Sequence, residues 1–255
     1  MSIAVVAAGQ RLRAPAMLVV CLLGATSALA NPAFAVYTPS ITEGEREVEL
    51  QIGAQKLRDG GSATGVSLSF AIAPRAWWAI EFGVKGQRED GGRFGYDAWE
   101  IEQRFALTEP GRHAVDVGML LEVEKPRDRA EGWELRYGPL LQTEWGQLQG
   151  NLNLLFERHL HAADPPRAEF GYQWQLRWRD DPAFDWGAQG VGELGPWRHW
   201  NPRAEQSHQL GPALFGRIKS ATPGAAWKYD AALLLGTGGT APSRALRARL
   251  EYEFF

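Results

Sequence analysis

Residues 169–179 read Glu-Phe-Gly-Tyr-Gln-Trp-Gln-Leu-Arg-Trp-Arg. Large apolar side chains occupy every second position: Phe170, Tyr172, Trp174, Leu176 and Trp178. Charged or amide side chains fill most of the gaps between them. Because successive side chains of a β-strand point to opposite faces, this pattern predicts a strand with one apolar and one polar face. Its length also matches the ~9–11 residues that a tilted strand needs to cross a bilayer.

The same alternation recurs along most of the chain and divides it into twelve runs. The run 47–57, for example, places Val48, Leu50 and Ile52 on one face and charged or amide groups on the other. We therefore predict an all-β fold over residues 45–255, a single antiparallel up-and-down transmembrane β-barrel of about twelve strands. Pro139 and Pro212 fall inside two of the runs, where a proline cannot donate to the ladder, so ten strands remain an alternative.

The connections between the runs alternate in character. Short turns centred on Pro74, Pro110, Gly146, Pro182 and Pro223 are predicted at one end of the barrel. Longer and more polar loops are predicted at the other end. Short turns on one side and longer loops on the other are typical of transmembrane barrels.

The start of the chain predicts export. Arg11 and Arg13 precede a short apolar stretch, 17–23, and Ala28-Leu29-Ala30 offers a cleavage site, so we predict a secretory signal peptide over residues 1–30. Residues 31–44 have no periodicity and are interpreted as a periplasmic lead-in. Cys21 is the sole cysteine and lies within the signal peptide, so the exported chain would have no disulfide.

Composition excludes other classes of protein. The formal net charge is -3 and there is no lysine-rich or arginine-rich run, which argues against a nucleic-acid partner. After residue 30, no apolar run approaches the ~18 residues that a membrane helix requires. Any membrane crossing must therefore use strands, with the charged faces turned inward because a lipid-facing Arg or Lys costs about 2–4 kcal/mol at the midplane.

The signal peptide, the alternating strands, the aromatics near strand ends and the terminal phenylalanine together resemble bacterial (Gram-negative) outer-membrane β-barrel proteins. The resemblance covers the whole exported chain but is architectural, and no motif ties it to a subfamily. It implies location in the outer membrane, outer-membrane lipids as neighbours, and recognition of the chain end by the barrel-assembly machinery. Phe254 or Phe255 would then be the assembly signal, since the apolar parity ends at Phe254. The aromatic girdles are expected to include Trp77, Trp78, Trp99, Trp133 and Trp227.

The inward faces are the place to look for function. The predicted lumen-lining residues are Glu81, Glu100, Glu102, Arg104, Glu122, Glu124, Arg177, Arg179 and Arg217. Glutamates concentrate on the third to seventh strands, and bases lie toward the periplasmic end of the eighth to eleventh. Such charges favour a porin-like passive channel for transport of small polar solutes. The alternative is a barrel closed by ion pairs, with a structural or docking role in an envelope or secretion complex.

Enzymatic function is not expected, with an outer-membrane hydrolase as the remaining alternative, and no catalytic, cofactor-binding or metal-binding residues are assigned. Outer-membrane hydrolases would need a His and a Ser on the same strand face, but His208 directly follows Ser207 and must point the opposite way. His159, His161, Asp164, His199 and Glu205 lie on predicted outer loops, but no spacing rule joins them into a catalytic or metal site.

Overall fold

The computed structural model describes residues 32–163 and 167–255, so the predicted signal peptide lies outside the described residues. Twelve strands, β1 to β12, follow one another: Arg46–Lys56, Ser62–Arg75, Trp78–Glu89, Gly95–Ala106, Asp116–Pro126, Trp133–Trp145, Leu148–Leu160, Glu169–Asp181, Phe184–Pro196, Ser207–Lys219, Ala226–Gly239 and Arg244–Phe254. A single turn of 3-10 helix, Arg129–Glu131, precedes β6. In the described part of the chain, no helix is long and apolar enough to span a membrane.

The strands form one closed antiparallel ring, which confirms the predicted twelve-stranded up-and-down barrel. Each strand pairs with its neighbours in sequence, and β1 closes the ring against β12. That seam runs in unbroken register from Arg46 opposite Phe254 to Lys56 opposite Arg244. Closure leaves the sheet without an edge strand, so its backbone N–H and C=O groups are satisfied within the ring.

The two faces of the strands are chemically opposite, as the alternation predicts. Outward side chains are apolar and exposed, with Leu68 55% and Phe82 51% exposed to solvent in the isolated chain. Inward side chains are polar and buried, with Asn153 0% and Glu122 1% exposed. The barrel is therefore inverted relative to a soluble protein, because its apolar side chains face outward and its charges fill the interior.

The connections define two ends. We call the end that carries the connections after β2, β4, β6, β8 and β10 the turn end, and the opposite end the loop end. Tight turns at 76–77, 146–147 and 182–183 lie at the turn end, whereas the connection 197–206 lies at the loop end. The connection 107–115, however, is longer than the tight turn predicted at Pro110. Pro74 lies within β2 rather than in the turn that follows it.

Both questioned prolines lie inside strands, which is why the count is twelve and not ten. Pro139 in β6 stands opposite Met119, and Pro212 in β10 stands opposite Ala188. On their other sides, the ladders to β7 and β11 have no pairs at the prolines and resume without a change of register. The missing N–H therefore interrupts one ladder locally and does not end the strand.

Closure between the first and last strands can be tested by cross-linking. Leu50 of β1 lies directly opposite Leu250 of β12, so their Cα atoms are about 4.5–5.5 Å apart, a Cα separation that a disulfide can span. In a Cys21→Ser background, Leu50→Cys with Leu250→Cys should form a disulfide under mild oxidation, seen as a gel shift reversed by reductant. The control pair Leu50→Cys with Leu152→Cys, on distant strands, should not. Equal cross-linking of both pairs would contradict the register.

Candidate functional site: the bore and its inner segment

The bore is occupied by the chain that precedes β1. Residues 32–41, which we call the inner segment, lie within the barrel, with Ala33 5%, Ala35 2% and Val36 2% exposed. At the turn end the chain reverses, where the Glu45 N–H donates to the Thr42 carbonyl at 3.2 Å and β1 begins. The structure therefore places residues 32–41 inside the barrel, whereas the sequence analysis interprets residues 31–44 as a periplasmic lead-in. The physical reason is that inward apolar side chains of the barrel pack against this segment.

Phe34 anchors the inner segment to one side of the bore. Its side chain packs against a cluster of inward apolar side chains of β10 to β12, against which Val191 of β9 also packs: Ala213, Phe215, Ala232, Leu234 and Ala245. The Arg247 Nη1 donates to the Phe34 carbonyl at 2.9 Å, and its guanidinium lies 5.2 Å from the centre of the Phe34 ring. Arg247 is itself 1% exposed and pairs with Asp230 at 2.8 Å. A buried, paired arginine thus fixes both the backbone and the ring of this residue.

Tyr37 anchors the segment to the opposite side. Its ring packs against Leu120, Leu140 and Leu155, which point inward from β5, β6 and β7. With its amide nitrogen facing the Tyr37 carbonyl, Asn153 donates to that carbonyl at 3.2 Å and accepts from the Tyr37 N–H at 2.8 Å. Asn153 is completely buried. The two anchors lie on opposite walls, so the inner segment crosses the bore between them.

Two inward glycines make room for the segment. A side chain at Gly53 of β1 would collide with the Pro32 carbonyl, and a Cβ at Gly118 of β5 would lie 2.9 Å from the Pro39 Cβ. Both glycines have negative φ, so their role is clearance rather than backbone conformation. Where the segment leaves the bore, a cavity of about 20 Å³ remains beside Ser40, Glu47 and Arg104, room for roughly one water molecule.

The wall formed by β3 to β7 carries an excess of carboxylates. Eight glutamates whose side chains are described on these strands point into the bore: Glu81, Glu100, Glu102, Glu122, Glu124, Glu134, Glu144 and Glu157. Lys85 lies 2.5 Å from Glu100 and 2.6 Å from Glu124, and Arg136 lies 2.8 Å from Glu134. Among the described residues of these strands, the other inward bases are Arg104 and His159. The wall is therefore net negative even after pairing.

The opposite wall is charged but balanced. Arg177 pairs with Asp185 at 2.6 Å, Arg217 with Glu253 at 3.0 Å, and Lys228 with Glu251 at 3.0 Å. Each of these ion pairs lies toward the turn end, where the sequence places a group of bases. Because Arg177, Arg217 and Lys228 each have an acidic partner, these three bases add no net positive charge to the turn end. Pairing also offsets the cost of keeping these charges in a narrow interior.

The predicted lumen-lining residues all lie on inward faces. Glu81 stands opposite Glu102 in the ladder, and Arg104 lies 3.2 Å from Glu102 and 3.5 Å from Glu47. Arg179, at the turn end, pairs with Glu144 at 2.8 Å. Their proposed role, to guide a passing solute, stays a prediction.

The predicted girdle tryptophans lie near both ends of the outer surface. Trp77 and Trp78 lie at the turn end with ring centres 6.4 Å apart, and Trp227 lies 4.6 Å from Tyr252 at the same end. Trp99 and Trp133 lie toward the loop end, 5.6 Å apart. All five adjoin the exposed apolar band. Membrane proteins concentrate aromatics at such boundaries between apolar and polar surroundings.

The two terminal phenylalanines occupy different environments. Phe254 ends β12 and stacks on Tyr252 at 5.7 Å, on the outward face. Phe255 lies beyond the strand and is 60% exposed. Which of them is read during assembly stays a prediction.

The acidic clusters that could attract a metal ion are already associated with bases. Ligand atoms of Glu100, Glu122 and Glu124 lie within 4.8 Å of one another, but Lys85 supplies the positive charge there. Arg136 does the same for the group of Glu134, Glu157 and His159.

Two of the histidines considered for hydrolysis have hydrogen-bond partners in the barrel. His208 points outward, where its Nδ1 lies 2.9 Å from the Tyr172 hydroxyl and its Nε2 lies 2.9 Å from the Gln206 side chain. His159 is an inward residue of β7 rather than a loop residue, and its Nδ1 lies 3.1 Å from the Glu131 carbonyl. Asp164 lies outside the described residues. These contacts assign the two histidines to structural hydrogen bonds.

Solved barrels resemble this architecture. An outer membrane channel from Pseudomonas putida F1 superposes with a TM-score of 0.56 at 10% identity, covering 84% of this chain and 96% of that one. The NanC porin gives 0.52 at 11% identity, covering 82% and 99%. The translocator domain of the autotransporter NalP from Neisseria meningitidis gives 0.51 at 11%, covering 84% and 89%. This chain has the fold of a bacterial outer-membrane β-barrel.

At these identities the likeness establishes the fold and not the activity. No protein-family profile matches the sequence of this outer-membrane-type barrel, and no curated protein sequence matches it. Its function must therefore be argued from the bore.

The inner segment is the feature of the bore that the alternation does not predict. The sequence indicates it only indirectly. Four strands have a leucine at an inward position, where the alternation would place a polar residue, and in each the adjacent outward residue is also leucine. These inward leucines are Leu120, Leu140, Leu155 and Leu234. Val191 in β9 is a further break in the alternation. Each of these inward apolar positions contacts the inner segment or the cluster that holds it.

The anchoring of the inner segment can be measured by labelling. In a Cys21→Ser background, Ser40→Cys should react slowly with a water-soluble maleimide. Adding Phe34→Ala removes the ring that fills the β9–β12 dock and should raise the labelling rate at least about tenfold. The control Phe94→Ala removes an exposed loop aromatic and should leave the rate unchanged. Equal rates in both variants would show that Phe34 does not hold the segment.

Proposed function

We propose that this chain is an outer-membrane barrel that works as a narrow, passive channel for small polar solutes. The observation that carries the proposal is the inward polar wall, which runs from one end to the other inside an apolar outer surface. Hydrocarbon admits a sheet only when the ring is closed and its charges face away from lipid. The porin and the channel among its structural relatives share this architecture.

The inner segment would set the width of the passage. It crosses the bore between the docks of Phe34 and Tyr37, leaving little free volume beside Ser40. Solutes would pass only where this segment and the paired side chains move aside. We therefore expect a low conductance. The orientation follows from the barrel pattern: the turn end faces the periplasm and the loop end faces the exterior.

A closed barrel with a structural or docking role is the second candidate. Specific observations favour it: the inward charges are paired and the inner segment fills the centre. In that reading the same contacts serve only to stabilise the barrel. The two candidates differ in a single measurable property, the passage of ions.

Conductance in planar bilayers separates the candidates. The full chain should give small reproducible steps, and a variant lacking residues 32–41 should give steps several-fold larger because the obstruction is gone. A circular-dichroism spectrum matching that of the full chain would show that the variant still forms the barrel. If neither protein conducts at high protein concentration, the channel proposal is wrong and the structural or docking role is favoured.

Charge selectivity tests the role of the acidic wall. The net negative wall of β3 to β7 should favour cations, so Glu100→Gln with Glu124→Gln should lower the cation-to-anion permeability ratio at least about twofold. The change also leaves Lys85 with Glu122, at 3.7 Å, as its nearest remaining acid. The matched control, Glu43→Gln with Glu109→Gln, removes two exposed carboxylates at the turn end. An equal change in both doubles would mean that the wall does not select ions.

A further inference from the structure

A basic cavity opens at the loop end, on the outside of the barrel rather than in the bore. Its volume is about 430 Å³, within the ~300–1,000 Å³ typical of small-molecule sites. Arg158, Arg167, Arg198 and His199 line it together with Trp197, and its lining includes no carboxylate from residues 32–163 or 167–255. We call it the loop-end cavity.

The arginines of the loop-end cavity differ from those of the bore. Arg177, Arg217 and Arg247 in the bore are each paired with an acid. By contrast, Arg158, Arg167 and Arg198 have no ion pair with any residue in the described part of the chain. Arg198 lies over the Trp197 ring at 5.1 Å, an arrangement that leaves its N–H groups free to donate. Unpaired guanidinium groups converging on one cavity are the usual means of holding a phosphate.

The position of the cavity links it to the apolar outer surface. Arg158 is the next outward residue of β7 beyond Phe156. Phe156 contacts Trp197 at 6.1 Å and Phe170 at 5.1 Å, and Phe170 stacks on Trp200 at 6.1 Å. These four rings form a continuous aromatic shelf between the apolar band and the arginines. Trp197 is 48% exposed and Trp200 is 58% exposed. Tryptophans at a boundary of this kind are typical of the headgroup level of a bilayer.

The walls of the cavity are held by backbone hydrogen bonds. The Trp197 N–H donates to the Ala168 carbonyl at 3.1 Å, which joins the β9–β10 connection to the chain that enters β8. The His199 N–H donates to the Pro196 carbonyl at 3.0 Å, and the Asn201 N–H donates to the Leu194 carbonyl at 2.8 Å. The basic groups are therefore carried on a fixed scaffold.

We propose that the loop-end cavity binds the phosphate-bearing headgroup of a lipid in the leaflet at the loop end, with acyl chains lying along the aromatic shelf. The proposal rests on the proposed membrane location of the barrel, but not on its conductance. A lipid fits better than a soluble phosphate because the arginines stand directly beyond the apolar surface. The ligand class is thus a phosphorylated lipid, and phosphorylated glucosamine lipids are the probe.

Binding is measured on the full chain in non-ionic micelles. A diphosphorylated glucosamine lipid should be retained in native mass spectrometry and should quench tryptophan fluorescence. The same lipid with its phosphates removed should bind at least about tenfold more weakly, since charge-assisted hydrogen bonds are lost. Equal affinity for both lipids would overturn the proposal. Saturation by micromolar inorganic phosphate alone would also overturn it, because the site would then belong to a soluble anion.

The matched variants locate the site. Arg158→Gln with Arg198→Gln should weaken binding of the phosphorylated lipid at least about tenfold. Arg75→Gln with Arg112→Gln removes two exposed arginines at the opposite end and should change it by less than about twofold. An equal loss of lipid affinity in both double variants would mean that binding depends only on the net charge of the protein, and it would refute the site. Because the assay needs no ion flow, lipid binding by a barrel that does not conduct would refute only the proposed channel.

Discussion

The constraint on which the structure depends is the closure of the sheet. The outer surface is apolar, so an open edge would leave backbone donors and acceptors without partners wherever lipid replaces water. The eleven-residue β1 meets β12 along its whole length, and the ring has no edge. Once the ring is closed and its apolar face is turned outward, the polar residues of every strand must share one narrow interior.

That crowded interior explains the ion pairs and the inner segment together. Charges withdrawn from bulk water are costly unless they are paired, and Lys85, Arg136 and Arg247 each lie beside more than one polar partner. The remaining space is filled by residues 32–41, whose two aromatic anchors need apolar docks. Hence the bore contains leucines where alternation would place polar side chains. The interior is a packed core with charged walls, and in the proposed channel the conductance would depend on how firmly the inner segment is held.

The sequence predicts the barrel well because its signal is local. In 169–179 the alternation alone assigns each side chain to a face, and the structure keeps every assignment. The prolines left the strand count open between ten and twelve. Pro139 and Pro212 each interrupt one ladder, while the strands continue through them. In β9, the alternation is interrupted at Val191, an apolar residue that points inward and packs against the same cluster as Phe34. The apparent irregularity in sequence is thus a regular strand with an unusual partner.

The inner segment could not be predicted in the same way, since a stretch held inside a bore needs no periodicity of its own. Its partners, such as Leu155 and Leu234, are far from it in sequence and become meaningful only when the strands are wrapped into a ring. The loop-end cavity could not be predicted from the sequence for a related reason. Arg158 lies near the end of β7 and Arg198 lies in the connection that follows β9, and only the register of β7 with β8 and of β8 with β9 brings them together.

The most direct test is fluorescence of the reconstituted protein in bilayers whose acyl chains carry bromine at defined depths. If the apolar faces contact lipid, the tryptophans at the two ends should be quenched most by bromine near the headgroups and less by bromine at the midplane. An emission insensitive to brominated lipid, from a protein that stays dissolved without detergent, would mean that the rings are packed inside. The faces assigned to the barrel would then be reversed.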